Sequence, residues 1–326
     1  MMRRLVREAR QKTLREFSSI KQVGVVGLGL MGHGVAQVTA MSPEYSVVAF
    51  DGSQNAIDSG RKRISQSLSK MLDRKIQKGA LSKGDAAAQT DGIMSRISFA
   101  SDMSALADCD LVIEAITENP KIKLPLFEDL ARITSPSCIL ASNTSSLSIM
   151  EMAVASGRPS HVVGLHFFNP VQLMKLVEVV RCEATDSAVF EECKSWARTI
   201  GKQPVSCVDT PGFIVNRLLV PALAQGMLMY ERGDGSVEDI DKSMELGAGH
   251  PMGPLTLAVR RAIIPDYVGL DICLSILDGW VHKFPDEPSF VVPECLREKV
   301  AAGKLGRKTG EGFYVWDGDK RAHVAP

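Results

Sequence analysis

The stretch from Lys21 to Asp51 constrains the fold more than any other part of the chain. It reads KQVGVV, GLGLMG, HGVAQVTAM and YSVVAFD: an apolar run, a glycine turn, a helical run and a second apolar run. That order is a βαβ unit, which requires a parallel sheet covered by helices. Gly27, Gly29 and Gly32 form G-x-G-x-x-G between strand and helix, the context in which this spacing binds a dinucleotide. The first glycine permits the tight turn, the second lets backbone reach a pyrophosphate, and the third lets helix and strand pack closely. Asp51 ends the second strand, where a carboxylate accepts hydrogen bonds from an adenosine ribose 2′-hydroxyl and repels a 2′-phosphate; NAD is therefore expected over NADP. The competing reading is a glycine-rich turn that binds something else. His33 opens the helix beside the glycines and reads as a partly exposed first-turn residue.

A helical stretch from Ala56 to Lys78 follows, with Ile64, Leu68, Met71 and Leu72 on one side and many Arg and Lys side chains elsewhere. Apolar runs return at 110–116 (DLVIEAI), 138–142 (CILAS) and 162–168 (VVGLHFF), as expected of strands buried on both faces. After 206–213 (SCVDTPGF) the composition turns to long helical segments with Pro and Gly breaks, so a boundary is expected near Asp209. The expected fold is α/β: a Rossmann-like doubly wound sheet over residues 21–208, then a second, all-helical C-terminal domain over 209–326.

With 38 basic and 38 acidic side chains the formal charge is zero, which offers no broad attraction to nucleic acid or a membrane surface. The charge-free apolar stretch Leu218 to Tyr230 is too short to cross a bilayer. Seven scattered cysteines with no C-x-x-C pair suggest neither a disulfide framework nor a metal site, and point to a reducing compartment. The first twenty residues hold five arginines and a lysine and read either as a mitochondrial transit peptide or as a disordered basic tail, with Glu8 and Glu16 counting against the former.

His166 lies near the end of an apolar run, and Asn169-Pro170 then forces a turn. Glu178 is the only acidic residue in the run that resumes at 174–180, MKLVEVV. A buried carboxylate needs a partner, and if these two strands pair across the turn, His166 is the nearest candidate. A carboxylate that fixes the imidazole tautomer makes a histidine a competent base, as hydroxyl oxidation by hydride transfer requires. Taken alone, the pair reads equally as a packed histidine and a glutamate on an edge strand. Ser145, in the SNTSS segment at the carboxyl edge of the sheet, either orients a substrate oxygen or caps a helix. Asn216, after TPGF, is either a core amide or a site residue.

Six segments, GLGLMGHGVAQ, ASNTSSLSI, GLHFFNPVQLMKLVEVV, DTPGFIVNRLL, GAGHPMGP and GRKTGEGFY, resemble the short-chain L-3-hydroxyacyl-CoA dehydrogenase family from about Gln22 to Trp316. The resemblance implies NAD-dependent oxidation of L-3-hydroxyacyl-CoA to 3-ketoacyl-CoA in fatty-acid β-oxidation, in the mitochondrial matrix, by a homodimer built through the helical domain. It implies His166 as base and Glu178 as its orienting partner, with Ser145 and Asn216 at the reacting end of the substrate. Asp51, Glu118, Lys123 and Asn169 fall where the family contacts NAD or shapes its site, and Ser67 and Arg74 where it meets CoA. The basic helix suits a phosphate-rich ligand, although a solvated charged face explains most of its side chains. The alternatives are a hydroxy-acid dehydrogenase of the same superfamily and a non-catalytic NAD-binding homologue. The sequence departs from the family at 255–265 (LTLAVRRAIIP), an excess of roughly seven residues, close to two helical turns. Pro265 argues against smooth passage into the next segment, and the insertion bears on dimer geometry and activity.

Overall fold

Eight strands form one sheet in the order β3-β2-β1-β4-β5-β6-β7-β8. They are β1 (Gln22–Val26), β2 (Ser46–Phe50), β3 (Ile97–Ala100), β4 (Leu111–Glu114), β5 (Ile139–Ser142), β6 (Val162–Phe167), β7 (Leu176–Arg181) and β8 (Gln203–Val208). The computed structural model describes residues 19–259, 269–318 and 320–325. Most of the basic first twenty residues and residues 260–265 of the inserted stretch, Pro265 included, lie outside the described residues.

The first six strands run parallel, as the expected crossovers require, while β7 returns antiparallel to β6 and β8 runs parallel to β7. Strand order reverses between β1 and β4, the switch point at which open α/β sheets place ligands. Helices α1 (Gly32–Met41), α2 (Gln54–Gln77), α3 (Lys83–Met94), α4 (Pro120–Ile133), α5 (Ile149–Ala155) and α6 (Ser187–Thr199) join the strands. The apolar runs are buried on both faces: Leu111, Val112, Ile113 and Glu114 of β4 are all sequestered, as are Val162 to Phe167 of β6. Between helices and sheet, Val23, Val25, Leu111, Ile113, Leu165 and Phe167 share one core with Ile64 and Leu68 of α2 and Trp196 of α6. Polar caps set the helix starts; Ser53 receives the Ala56 N–H ahead of α2, and Asn119 receives the Lys121 N–H ahead of α4, with Pro120 as its first residue.

The chain divides after Thr210. Asp209 belongs to the first unit, where its carboxylate accepts from the Ser148 hydroxyl and the Met150 N–H at the start of α5. The second unit holds α7 (Val215–Glu231), α8 (Val237–Lys242), α9 (Pro254–Val259), α10 (Leu270–Lys283) and α11 (Glu294–Ala301). Val220, Leu223, Met227, Leu255, Leu277, Trp280 and Phe313 form its core. Asp241, fully buried, accepts from the Leu255 and Thr256 N–H groups at 2.8 Å and from the Tyr314 hydroxyl at 2.9 Å. To the expected helices this unit adds an antiparallel hairpin of β9 (Tyr314–Asp317) and β10 (Lys320–Val324). Tyr314 and Trp316 alternate into the core, a period of two that the short closing segment carries but that helical patterning hides.

Candidate active site

Each fingerprint glycine answers to a different steric demand. Gly27 has a φ of +91°, donates its N–H to Phe50 at 2.9 Å, and would place a Cβ 2.9 Å from the Ala115 carbonyl oxygen. At Gly32 a Cβ would stand 1.7 Å from the Gly27 carbonyl oxygen, so only hydrogen lets α1 close on β1. At Gly29 a Cβ would meet nothing within 4 Å, which leaves its backbone open to an approaching group. Asp51 at the end of β2 accepts the Leu28 N–H at 2.9 Å and the Ser53 N–H at 3.0 Å, tying the glycine loop to the strand that carries the carboxylate. This cradle fits the pyrophosphate and ribose of NAD: Gly27, Leu28 and Gly29 would present backbone, α1 its N-terminus, and Asp51 a carboxylate to the ribose. His33 is buried rather than partly exposed, because its ring folds back so that Nδ1 lies 2.8 Å from the Gly29 carbonyl oxygen. Burial pushes its pKa down, the Gly29 bond opposes this, and the Arg63 charge adds to the lowering.

At the carboxyl ends of β4 and β5, two carboxylates share one buried ammonium. Lys123 of α4 lies 2.5 Å from Glu114 and 3.0 Å from Glu118, with Glu114 and Lys123 both at or below 1 % exposure. Glu114 also accepts the Ile116 N–H at 2.8 Å and the Ser142 hydroxyl at 2.7 Å. Glu118 accepts the Thr144 hydroxyl at 2.6 Å, the Ser145 N–H at 2.9 Å and the Ser145 hydroxyl at 3.3 Å. Burial alone would raise the Glu118 carboxyl, but Lys123, the Thr144 hydroxyl and the Ser145 N–H outweigh it and hold the group below the ordinary carboxylate value. Ser145 is thereby seated on Glu118, and Glu118 on Lys123.

His166 and Glu178 face each other in register across the antiparallel β6–β7 pair. Their side chains meet at 2.7 Å, Nδ1 to Oε2, with exposures of 2 % and 1 %. The Phe168 ring stands 4.5 Å from the imidazole, centroid to centroid. Asn143, between β5 and Ser145, accepts the Phe167 N–H at 2.8 Å through its side chain, so the serine loop and the histidine strand are fastened at one point. Asn169 follows at the cis Asn169-Pro170 peptide. Ser67 and Arg74 lie seven residues apart on α2 and so share a face; Ser67 is half-buried and Arg74 exposed. Asn216 belongs to the second unit, buried in the first turn of α7.

Sequence reasoning missed Glu114, Ser142, Thr144 and Asn143. Glu114 carried the same signal as Glu178, a single charge inside the apolar run LVIEAI, and the same demand for a partner leads to Lys123. Asn143 had no comparable signal, since a polar residue in a polar loop is ordinary.

A cradle open above Gly29, with a carboxylate at the end of the second strand, places the chain among Rossmann-type NAD-binding dehydrogenases. Residues 22–210 match the family model "3-hydroxyacyl-CoA dehydrogenase, NAD binding domain" and residues 212–316 the model "3-hydroxyacyl-CoA dehydrogenase, C-terminal domain". The chain is 46% identical over 298 residues to the mitochondrial hydroxyacyl-coenzyme A dehydrogenase of Rattus norvegicus, covering 91% of each chain. The Homo sapiens protein of the same name is 45% identical with the same coverage. Among solved structures, the (S)-3-hydroxybutyryl-CoA dehydrogenase of Ralstonia eutropha superposes with a TM-score of 0.83 at 38% identity, over 92% of this chain and all of that one. The chain belongs to the 3-hydroxyacyl-CoA dehydrogenase family and is an NAD-dependent enzyme.

Proposed function

We propose that the protein oxidises the 3-hydroxyl of an L-3-hydroxyacyl-CoA thioester to the ketone, with His166 as general base. NAD, when bound, accepts the hydride leaving C3. His166 Nε2 takes the hydroxyl proton while Glu178 holds Nδ1–H and stabilises the imidazolium that forms. In reverse, the same imidazolium returns the proton to the ketone oxygen. Ser145 and Asn216 hold the reacting end of the substrate, Asp51, Glu118, Lys123 and Asn169 hold or shape the NAD site, and Ser67 and Arg74 meet CoA. The buried 2.7 Å contact between His166 and Glu178 is the observation that carries this reading.

A homodimer is proposed from α7, whose exposed residues include Leu218 and Met229, with Leu218 at 70 % exposure. The mitochondrial matrix and a place in fatty-acid β-oxidation are proposed from the Arg-rich leader and from the mitochondrial names of the rat and human relatives. Among the described residues no helix is long and apolar enough to cross a membrane.

Substrate class is tested by comparing acetoacetyl-CoA with free acetoacetate as NADH oxidants, in the wild type and in Arg74→Ala. The CoA reading expects turnover of the thioester only and a raised KM in the variant. Equal use of the free acid, with KM unchanged by Arg74→Ala, would point instead to a hydroxy-acid dehydrogenase.

A further inference from the structure

We propose that Lys202 is a positioning residue: it holds the loop between β6 and β7, and with it Asn169, against α1, so that the His166 strand and the cofactor helix keep one fixed relation. Lys202 stands between α6 and β8, directly after Gly201, whose φ of +80° makes the turn. It is only 7 % exposed. Its ammonium donates to the Val171 carbonyl and, at 2.8 Å, to the Met174 carbonyl, both within that loop.

The loop closes on itself, since the Leu173 and Met174 N–H groups donate to Pro170 at 2.9 and 3.0 Å. It then meets α1 at two points. Val171, 1 % exposed, lies against Gly34, where a Cβ would come within 2.7 Å of the Val171 Cβ. One turn further along α1, Gln172 Nε2 donates to Gln37 Oε1 at 3.0 Å. The segment that follows His166 is therefore packed on the helix that begins at Gly32, and Lys202 pins it through the Val171 and Met174 carbonyls.

Burying an ammonium with carbonyl partners rather than a carboxylate is costly. Burial pushes the Lys202 ammonium down to about 8. An aliphatic side chain would fill the same space without that penalty but could not hold two carbonyls at one point. The ammonium thus fixes the course of the loop, and a displacement of ~1 Å at a reacting centre lowers turnover on the order of 100-fold.

The inference rests on the roles given above to His166 and Asn169. Its test uses the full chain with Lys202→Met, which keeps length and loses the donors, and Lys202→Arg, which keeps donors. NADH affinity is read by fluorescence titration, turnover with acetoacetyl-CoA, loop order by amide exchange at Leu173 and Met174, and stability by Tm. In the Met variant, NADH Kd rises about tenfold and kcat falls about 10- to 100-fold, KM for acetoacetyl-CoA changes less than about threefold, and the two amides exchange faster. The Arg variant recovers most of the NADH affinity.

Wild-type NADH affinity and turnover in Lys202→Met would overturn the assignment, as would a loss of all parameters in parallel with Tm that Lys202→Arg fails to recover. If Lys202→Met does not fold, Gln172→Ala decides: it removes one loop contact with α1, and an unchanged NADH Kd at unchanged Tm would overturn the proposal, whereas a rise of about threefold supports it. NADH affinity and amide exchange do not depend on turnover, so a wild type inactive on acetoacetyl-CoA would refute the substrate reading and leave the Lys202 result standing by itself.

Discussion

His166 Nδ1 and Glu178 Oε2 lie 2.7 Å apart on directly opposed residues of an antiparallel pair, both sealed from solvent. Register alone places them there: a slip of one residue would turn Glu178 to the other face of the sheet. The bond engages Nδ1, and the proposed proton transfer is assigned to Nε2. Glu178→Gln keeps the shape but removes the charge proposed to stabilise the imidazolium. Its kcat should fall about 10- to 1000-fold with NADH affinity retained, as read by stopped-flow turnover beside fluorescence titration. A variant with unchanged kcat would remove Glu178 from the mechanism.

The glycine cradle separates stability from binding. Gly32→Ala must force a methyl to 1.7 Å from the Gly27 carbonyl oxygen. The expected cost is about 1–3 kcal/mol of stability, seen in denaturant unfolding. Gly29→Ala places its methyl in open space and should unfold like the wild type while binding NADH at least about tenfold more weakly, because the methyl stands where backbone must approach the pyrophosphate.

Asp51 holds the Leu28 N–H while presenting its carboxylate at the end of β2. In Asp51→Asn the repulsion of a 2′-phosphate disappears, and the ratio of NADPH to NADH affinity should rise by about tenfold, equivalent to ~1.4 kcal/mol. Titration with both nucleotides measures it, and an unchanged ratio would move the ribose contact elsewhere.

Lys123 is the only cation paired with Glu114 among the described residues, and both are buried. Lys123→Met strands a carboxylate in the core and should cost about 3–5 kcal/mol of stability. Glu118 behaves differently, being one-third exposed. Its folded pKa lies below its unfolded value, so its contribution is fully present above the ordinary value of 4.5 and is lost as pH falls through the folded pKa. Tm measured from pH 7 to pH 3 should fall more steeply for the wild type than for Glu118→Gln.

Much of this was legible in the residues. Strong periodicity around Gly27 to Asp51 and in the runs at 110–116, 138–142 and 162–168 marked β1, β2, β4, β5 and β6, because strands buried on both faces leave uninterrupted apolar text. The pairing of β6 with β7 was a condition suggested by one carboxylate in an apolar run, and the two strands do pair, with His166 opposite Glu178. What escaped lay at edges. The sequence GDAAAQTDG conceals α3, since small and polar residues carry little helical periodicity and only Ala86 and Ile93 are buried. Strand β8 alternates poorly because it closes the sheet, with Val205 and Val208 exposed. The Glu114–Lys123–Glu118 chain joins residues on a strand, a helix and the loop between them, and no spacing rule links the three. Lys202 looked like any surface lysine, and its burial depends on a loop that begins some thirty positions earlier in the chain.

The central claim is that His166 moves the proton. Its most direct test is NADH oxidation with acetoacetyl-CoA by the wild type and by His166→Gln, at saturating cofactor. Turnover about 100- to 10,000-fold lower in the variant, with NADH affinity unchanged, is the result this account predicts. Comparable turnover in the two proteins would contradict it.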